Sequence, residues 1–142
     1  IILPMMPLGW KANYEEWKIW FERHFEFLND NIILVGHSLG GNFLAKYLYE
    51  NILPMSIKQL HLVAPSHSKF DDNFCIKNEP KKLNENRIGE IHIYHSIDDE
   101  IVPLSESEKY HAQLPNSIFH TFTDRGHFLG EDFPELFKNI KN

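Results

Sequence analysis

Cysteine is nearly absent from this chain, with one, Cys75, in 142 residues. A single thiol closes no intramolecular disulfide and builds no cysteine-based metal site, which fits a reducing compartment, the cytoplasm. Positive charge is also scarce: 14 Lys and Arg stand against 20 Asp and Glu, for a formal net charge of −6. No basic run is long enough to follow a phosphate backbone, Lys81-Lys82 being a short solvated pair, so no nucleic acid partner is expected. No apolar run approaches the roughly 18 residues of a membrane span, and no membrane partner is expected either. Internal repeats, low-complexity tracts and signs of a second domain are missing. What remains is 42% hydrophobic and 13% aromatic, the composition of one globular domain over residues 1–142.

Apolar runs alternate with helical patterns along the chain, the signature of a parallel sheet with helices on both faces. Ile1-Ile2-Leu3 reads as a short buried strand. Trp17, Trp20, Phe21, His24 and Leu28 recur at helical spacing, which predicts an amphipathic helix over Tyr14 to Leu28 with that stripe in the core. Strands are expected at the run from Ile32, at Gln59 to Ala64, at Ile91 to His95 and at Ile118 to Phe122. Pro65 to Glu90 reads as a long polar connection. Ser105-Glu106-Ser107-Glu108 predicts a capping box opening a helix through Leu114, and Pro134 to Ile140 a closing helix with proline in its first turn.

The most specific stretch is Ile32-Ile33-Leu34-Val35-Gly36-His37-Ser38-Leu39-Gly40-Gly41, an apolar run ending in G-x-S-x-G and passing into a helical pattern (Phe43, Leu44, Tyr47, Leu48). A serine on a sharp strand-to-helix turn has its hydroxyl presented above the sheet, with glycines two before and two after, Gly36 and Gly40, letting the flanking backbones pass closely. It also sits at a helix N-terminus, where free N–H groups favour the negative charge that develops in acyl transfer. Ser38 is therefore the candidate nucleophile, and the backbone N–H of Leu39 a candidate oxyanion donor.

A serine needs a base, and the base an orienting carboxylate. Acidic residues follow one strand pattern in Ser96-Ile97-Asp98-Asp99-Glu100-Ile101-Val102-Pro103. A histidine follows the next in Thr123-Asp124-Arg125-Gly126-His127-Phe128. The order Ser38, then Asp98 or Asp99, then His127 is that of α/β-hydrolases and not of the chymotrypsin or subtilisin folds.

Gly36-His37-Ser38, Asp98-Asp99 with Pro103, and Phe122 to Phe128 together resemble the small serine hydrolases related to retinoblastoma-binding protein 9. The likeness extends through nearly the whole chain, including Pro4-Met5-Met6-Pro7 and the tryptophan-bearing helix. It implies an intracellular, compact, nearly lidless α/β-hydrolase with a Ser-Asp-His triad, no metal and no cofactor. By position it marks Ser38, Asp99 and His127, since the family's carboxylate stands four residues before the proline, as Asp99 does before Pro103. The L-x-C-x-E motif that binds the retinoblastoma protein has no counterpart around Cys75, so that interaction is not expected.

The expected chemistry is hydrolysis of a small carboxylic ester or related acyl compound, with a small-molecule acyl substrate. Trp10, Met5, Met6 and the Phe70 to Phe74 region are candidate walls of an acyl pocket and read equally well as packing. The second oxyanion donor ordinarily comes from a loop after an earlier strand, and no such segment stands before Ile1. The chain is accordingly expected to lack its N-terminal strand and oxyanion loop and to be inactive or poorly soluble alone. The alternative is a hydrolase-like binding or scaffold protein with a relic triad. Nine histidines invite a metal reading. His92 and His95, three apart on a strand, should point to opposite faces, and no metal site is expected. His37 is expected to shape the elbow rather than to transfer protons, His120 to lie at the core edge or surface, and Cys75 to be no nucleophile.

Overall fold

The structure is a computed structural model that describes residues 1–7, 11–67, 73–76, 83–114 and 116–141. Helix α1 spans Tyr14–Glu22, strand β1 Ile32–His37, α2 Leu39–Glu50, β2 Ile57–Val63, β3 Ile88–Ser96, α3 Leu104–Gln113, β4 Ile118–Phe122 and α4 Pro134–Lys141. The strands form one sheet in the order β1-β2-β3-β4, every pairing parallel. Strands laid down sequentially with right-handed crossovers put their connections on one face. Leu60, Leu62, Ile91, Ile93 and Phe119 point to that face and join the core with residues of α1, α2 and α3. Trp17 and Phe21 of α1 meet Phe43 of α2 edge-on, at ring separations of 5.7 and 5.4 Å, and Phe74 packs on Trp17 at 5.0 Å. Such pairs add about 0.5–1.5 kcal/mol each beyond their buried area.

The second face carries Gln59, His61, His92, Tyr94 and His120, where a parallel sheet covered on both faces ordinarily carries aliphatic side chains. The rings stack across the strands. His61 and His92 lie 4.8 Å apart at 15°, His92 and His120 5.3 Å at 11°, and Tyr94 and His120 4.5 Å at 10°. Asn139 of α4 donates to the Tyr94 hydroxyl (2.9 Å), which lies 2.9 Å from His61 Nδ1. Gln59 donates to Glu90 (2.9 Å) and to the Asn139 carbonyl (3.0 Å), and His92 Nδ1 lies 3.0 Å from His120 Nε2. Helix α4 has no fully buried residue; it meets the sheet through this polar layer, with Phe133, just before it, against Tyr94 and Glu135 paired with Arg125.

Several expectations are corrected. Ile1-Ile2-Leu3 is not a strand: Ile1 and Leu3 are almost fully exposed, and no described strand pairs with their backbone. Three apolar residues without a ladder partner bury too little to order themselves as sheet. The first helix stops at Glu22, followed by a 3₁₀ turn at Phe25–Phe27. The His24 ring takes the Trp20 carbonyl (2.8 Å), occupying a group that helix continuation would need. Trp17 and Phe21 of the expected stripe are buried, while Trp20, His24 and Leu28 are half-buried. Strand β2 runs Ile57–Val63 rather than 59–64, and β3 already begins at Ile88 within the expected connection. Ser105 opens no capping box. Pro103, extended at φ −63 and ψ 144, is the N-cap, and α3 starts one residue before Ser105.

Candidate active site

Ser38, Asp99 and His127 each follow the carboxyl end of a strand, β1, β3 and β4, where open α/β sheets place their ligands. At the end of β1, Ser38 adopts φ 51 and ψ −120, a left-handed conformation that costs a non-glycine residue energy. It is held there by its N–H to the Val63 carbonyl (2.8 Å) at the end of β2. The Ser38 side chain caps no N–H of α2. Leu39 is the first residue of α2, so its N–H is among those without an intrahelical acceptor. Gly36 is obligatory by space, since a Cβ there would meet the Gly40 carbonyl oxygen at 2.6 Å. The expectation for Gly40 itself is corrected: a Cβ there meets nothing within 4 Å. A second close position is Gly41, where a Cβ would lie 3.1 Å from the Gly36 oxygen and 3.2 Å from Pro65. Strand and helix therefore touch at the Gly36 and Gly40 backbones and again one residue further on, at Gly41.

The acid and the base meet. Asp99 Oδ2 lies 2.7 Å from His127 Nδ1, and both residues are buried. Asp99 Oδ1 accepts the N–H groups of Ile101 and Val102, each at 2.9 Å. Burial pushes the Asp99 carboxyl up, but the bonds from Val102, His127 and Ile101 outweigh it and leave it below the ordinary carboxylate range. An ionised carboxylate only accepts, so His127 Nδ1 carries the proton and Nε2 is left with a lone pair. Ser38 and His127 are not joined by a hydrogen bond in the structure, a link that commonly tightens only when substrate arrives. They are tied through the residue between them, because His37 Nε2 donates to the His127 carbonyl (2.7 Å) and the two rings lie 4.8 Å apart. His37 as a residue is exposed, yet this partial enclosure of its ring, with His127 beside it, lowers its pKa.

Asp98 does not reach the His127 ring. One of its oxygens accepts the Ser96 hydroxyl (2.5 Å) and the Gly126 N–H (3.0 Å), and the Ser96 bond leads in holding its pKa low. The role of His95 escaped the sequence reading. His95 is fully buried, donates from Nε2 to the Val102 carbonyl (2.9 Å), accepts the Ser107 hydroxyl at Nδ1 (2.6 Å) and lies 3.6 Å from Asp99 Oδ2. Burial lowers its pKa, so it supports the acid loop as a neutral ring. These contacts join the end of β3 to the acid loop and α3 within 12 residues, but no motif spacing marks them. Of the candidate pocket walls, Met5 is exposed, Met6 packs against the core and Phe74 is buried within it. Trp10 and residues 70–72 lie outside the described residues. A cavity of about 540 Å³ runs along the outer edge of β1, reaching Gly36, His37 and Gly40 beside Met6, Trp17 and Phe43.

Comparison with known proteins shows the family and the fold. A family model described as serine hydrolase matches residues 7–135. The chain is similar in fold to the ydeN gene product of B. subtilis, with a TM-score of 0.84 and 22% identity over 96% of this chain and 77% of that one. It is similar also to MGS-MChE2, an α/β-hydrolase enzyme from a lagoon-sediment metagenome, at a TM-score of 0.65 and 18% identity over 99% of this chain and 73% of that one. In sequence it is 34% identical over 58 residues to the uncharacterized hydrolase YugF of Bacillus subtilis (strain 168), a match covering 41% of this chain. It covers 21% of YugF, so the chain matches about a fifth of that relative's length. Among the described residues no helix is long and apolar enough to cross a membrane.

Proposed function

Because this chain belongs to the serine hydrolase family, among the small members of the α/β-hydrolase superfamily, we propose that it hydrolyses a small carboxylic ester or related acyl compound through an acyl-enzyme. The observation that carries this reading is the 2.7 Å bond of His127 Nδ1 to Asp99, on a loop whose backbone is bonded to the residue next to the elbow serine. In the first step His127 Nε2 takes the Ser38 proton as the hydroxyl oxygen attacks the substrate carbonyl carbon. The carbonyl oxygen becomes an oxyanion facing the Leu39 N–H, and Asp99 stabilises the imidazolium. Collapse expels the alcohol, which leaves with the proton from His127, and the acyl group remains on Ser38. Water then attacks the acyl carbon, giving its proton to His127. The second collapse releases the carboxylic acid and returns the proton to Ser38.

This chemistry takes no metal and no cofactor, and the scarcity of cysteine supports a cytoplasmic setting. The test is turnover of a short-chain aryl ester by the protein expressed from its natural gene, with and without Ser38→Ala. The expected outcome is turnover that disappears with the hydroxyl. Turnover surviving Ser38→Ala would overturn the reading.

A further inference from the structure

His127 sits in a tight turn, closed by the Phe128 N–H to the Arg125 carbonyl (3.0 Å), whose position relative to Ser38 and Asp99 is set by bonds from outside the turn. The residue before it, Gly126, has φ 52, and the residue after it, Phe128, has φ 54, left-handed geometry that a phenylalanine adopts only under constraint. Two sets of bonds supply the constraint, from opposite sides. On the acid side, Asp98 accepts the Gly126 N–H (3.0 Å) and the Ser96 hydroxyl, while the Ser96 oxygen accepts the Arg125 N–H (3.1 Å). On the nucleophile side, His37 Nε2 donates to the His127 carbonyl (2.7 Å), with its ring lying against the His127 ring. Neither group lies on the proton route, since Asp98 faces backbone and the His37 nitrogen is engaged by a carbonyl. We propose that His37 and Asp98 are positioning residues that clamp the main chain of His127 between the nucleophile's strand and the acid's loop.

The inference rests on the acyl-transfer reading of Ser38, Asp99 and His127. Its logic is that a general base works only within hydrogen-bond reach of the proton it abstracts. His127 swings with its backbone, so removing either clamp lets the ring leave Asp99 and Ser38 while the core, built from other residues, stays intact.

The variants separate donor from shape. His37→Phe keeps a ring and removes the donor, whereas His37→Gln places an amide N–H near the same spot. Asp98→Ala removes the acceptor, whereas Asp98→Asn keeps an oxygen for the Gly126 N–H. Two readouts apply: ester hydrolysis, and the deshielded proton-NMR resonance of the His127 Nδ1–H in its bond to Asp99. His37→Phe and Asp98→Ala should each lower kcat by roughly ten- to a hundredfold, the scale of a displacement near 1 Å, with little change in KM. Both should broaden or remove the Nδ1–H signal while the melting temperature stays near that of the parent. His37→Gln and Asp98→Asn should recover most of the rate and the signal. Parental kcat and an unchanged signal in His37→Phe and Asp98→Ala would overturn the clamp, as would His37→Gln behaving like His37→Phe. Because Asp98 is exposed, Asp98→Ala carries the test even where a His37 variant folds poorly. A parent that shows the resonance, responds to the variants and hydrolyses no ester would sink the acyl-transfer reading and leave the clamp standing. A parent that turns over ester regardless of both clamps would do the reverse.

Discussion

His127, beyond the end of β4, gives one ring nitrogen to a buried carboxylate, and no hydrogen bond engages the other among the described residues. His61, in the middle of β2, has Nδ1 2.9 Å from the Tyr94 hydroxyl and Nε2 3.4 Å from Gln59, with His92 stacked on its face. The same side chain thus serves two ends within one sheet. At the strand ends a carboxylate fixes the tautomer and leaves a lone pair for chemistry. On the second face every neighbour consumes hydrogen-bonding capacity, and the rings serve as packing. No group of three His, Cys, Asp or Glu among the described residues is arranged to hold a metal ion, and His61, His92 and His120 instead stack face to face.

This comparison is easiest to break at its largest effect. Asp99→Asn keeps an oxygen for the Ile101 and Val102 N–H groups but favours the wrong His127 tautomer, and should cut aryl-ester turnover by about a thousandfold or more with little loss of stability. Steady-state kinetics with a melting curve checks it, and a loss under about tenfold would remove Asp99 from its assigned role.

The next effect belongs to the stacked face and is read in pH. Burial first, and the neighbouring His92 and His120 next, push His61 down to about 4. The unfolded chain therefore binds a proton that the folded one refuses. Stability is fully present above the unfolded value near 6.5 and falls as pH drops toward about 4, by on the order of 3 kcal/mol from this residue. His120, lowered by burial and by His92, adds in the same direction. Denaturant unfolding across that range measures the slope, and a flat profile would contradict the packing account.

His61→Leu sharpens the same point. It leaves the Tyr94 hydroxyl and Gln59 short of a partner, costing roughly 1–3 kcal/mol, while kcat per folded molecule should stay unchanged. A matching fall in kcat would mean the two histidine groups are coupled. Smallest is Asp98→Asn, which should leave aryl-ester kcat within about threefold of the parent, the range of a tolerated surface change. A loss at Asp98 equal to that at Asp99 would reverse the two roles.

The trio was legible because each member sits just past a strand, where a short motif and its position name the residue. The two-residue period also placed His92 and His95 on opposite faces, and the structure has one in the stack and the other beside Asp99. The same period, applied to Gln59 with His61 and to His92 with Tyr94, held the signal for the polar second face. What escaped were partnerships across long separations. His37 reaches a carbonyl 90 residues away and Asp98 an N–H 28 residues away, and no local pattern records either. Gly41 escaped for a related reason. Motif spacing names Gly36 and Gly40, whose backbones do meet, but how α2 leaves the turn also brings Gly41 against Gly36 and Pro65.

The central claim is that Ser38 is the nucleophile activated by His127. Its most direct test is a fluorophosphonate probe applied to the protein expressed from its natural gene, with the adduct located by mass spectrometry. The account predicts a single adduct on Ser38 whose formation slows sharply in Asp99→Asn. An adduct on another serine such as Ser66, or none on folded protein that hydrolyses an ester, would contradict it.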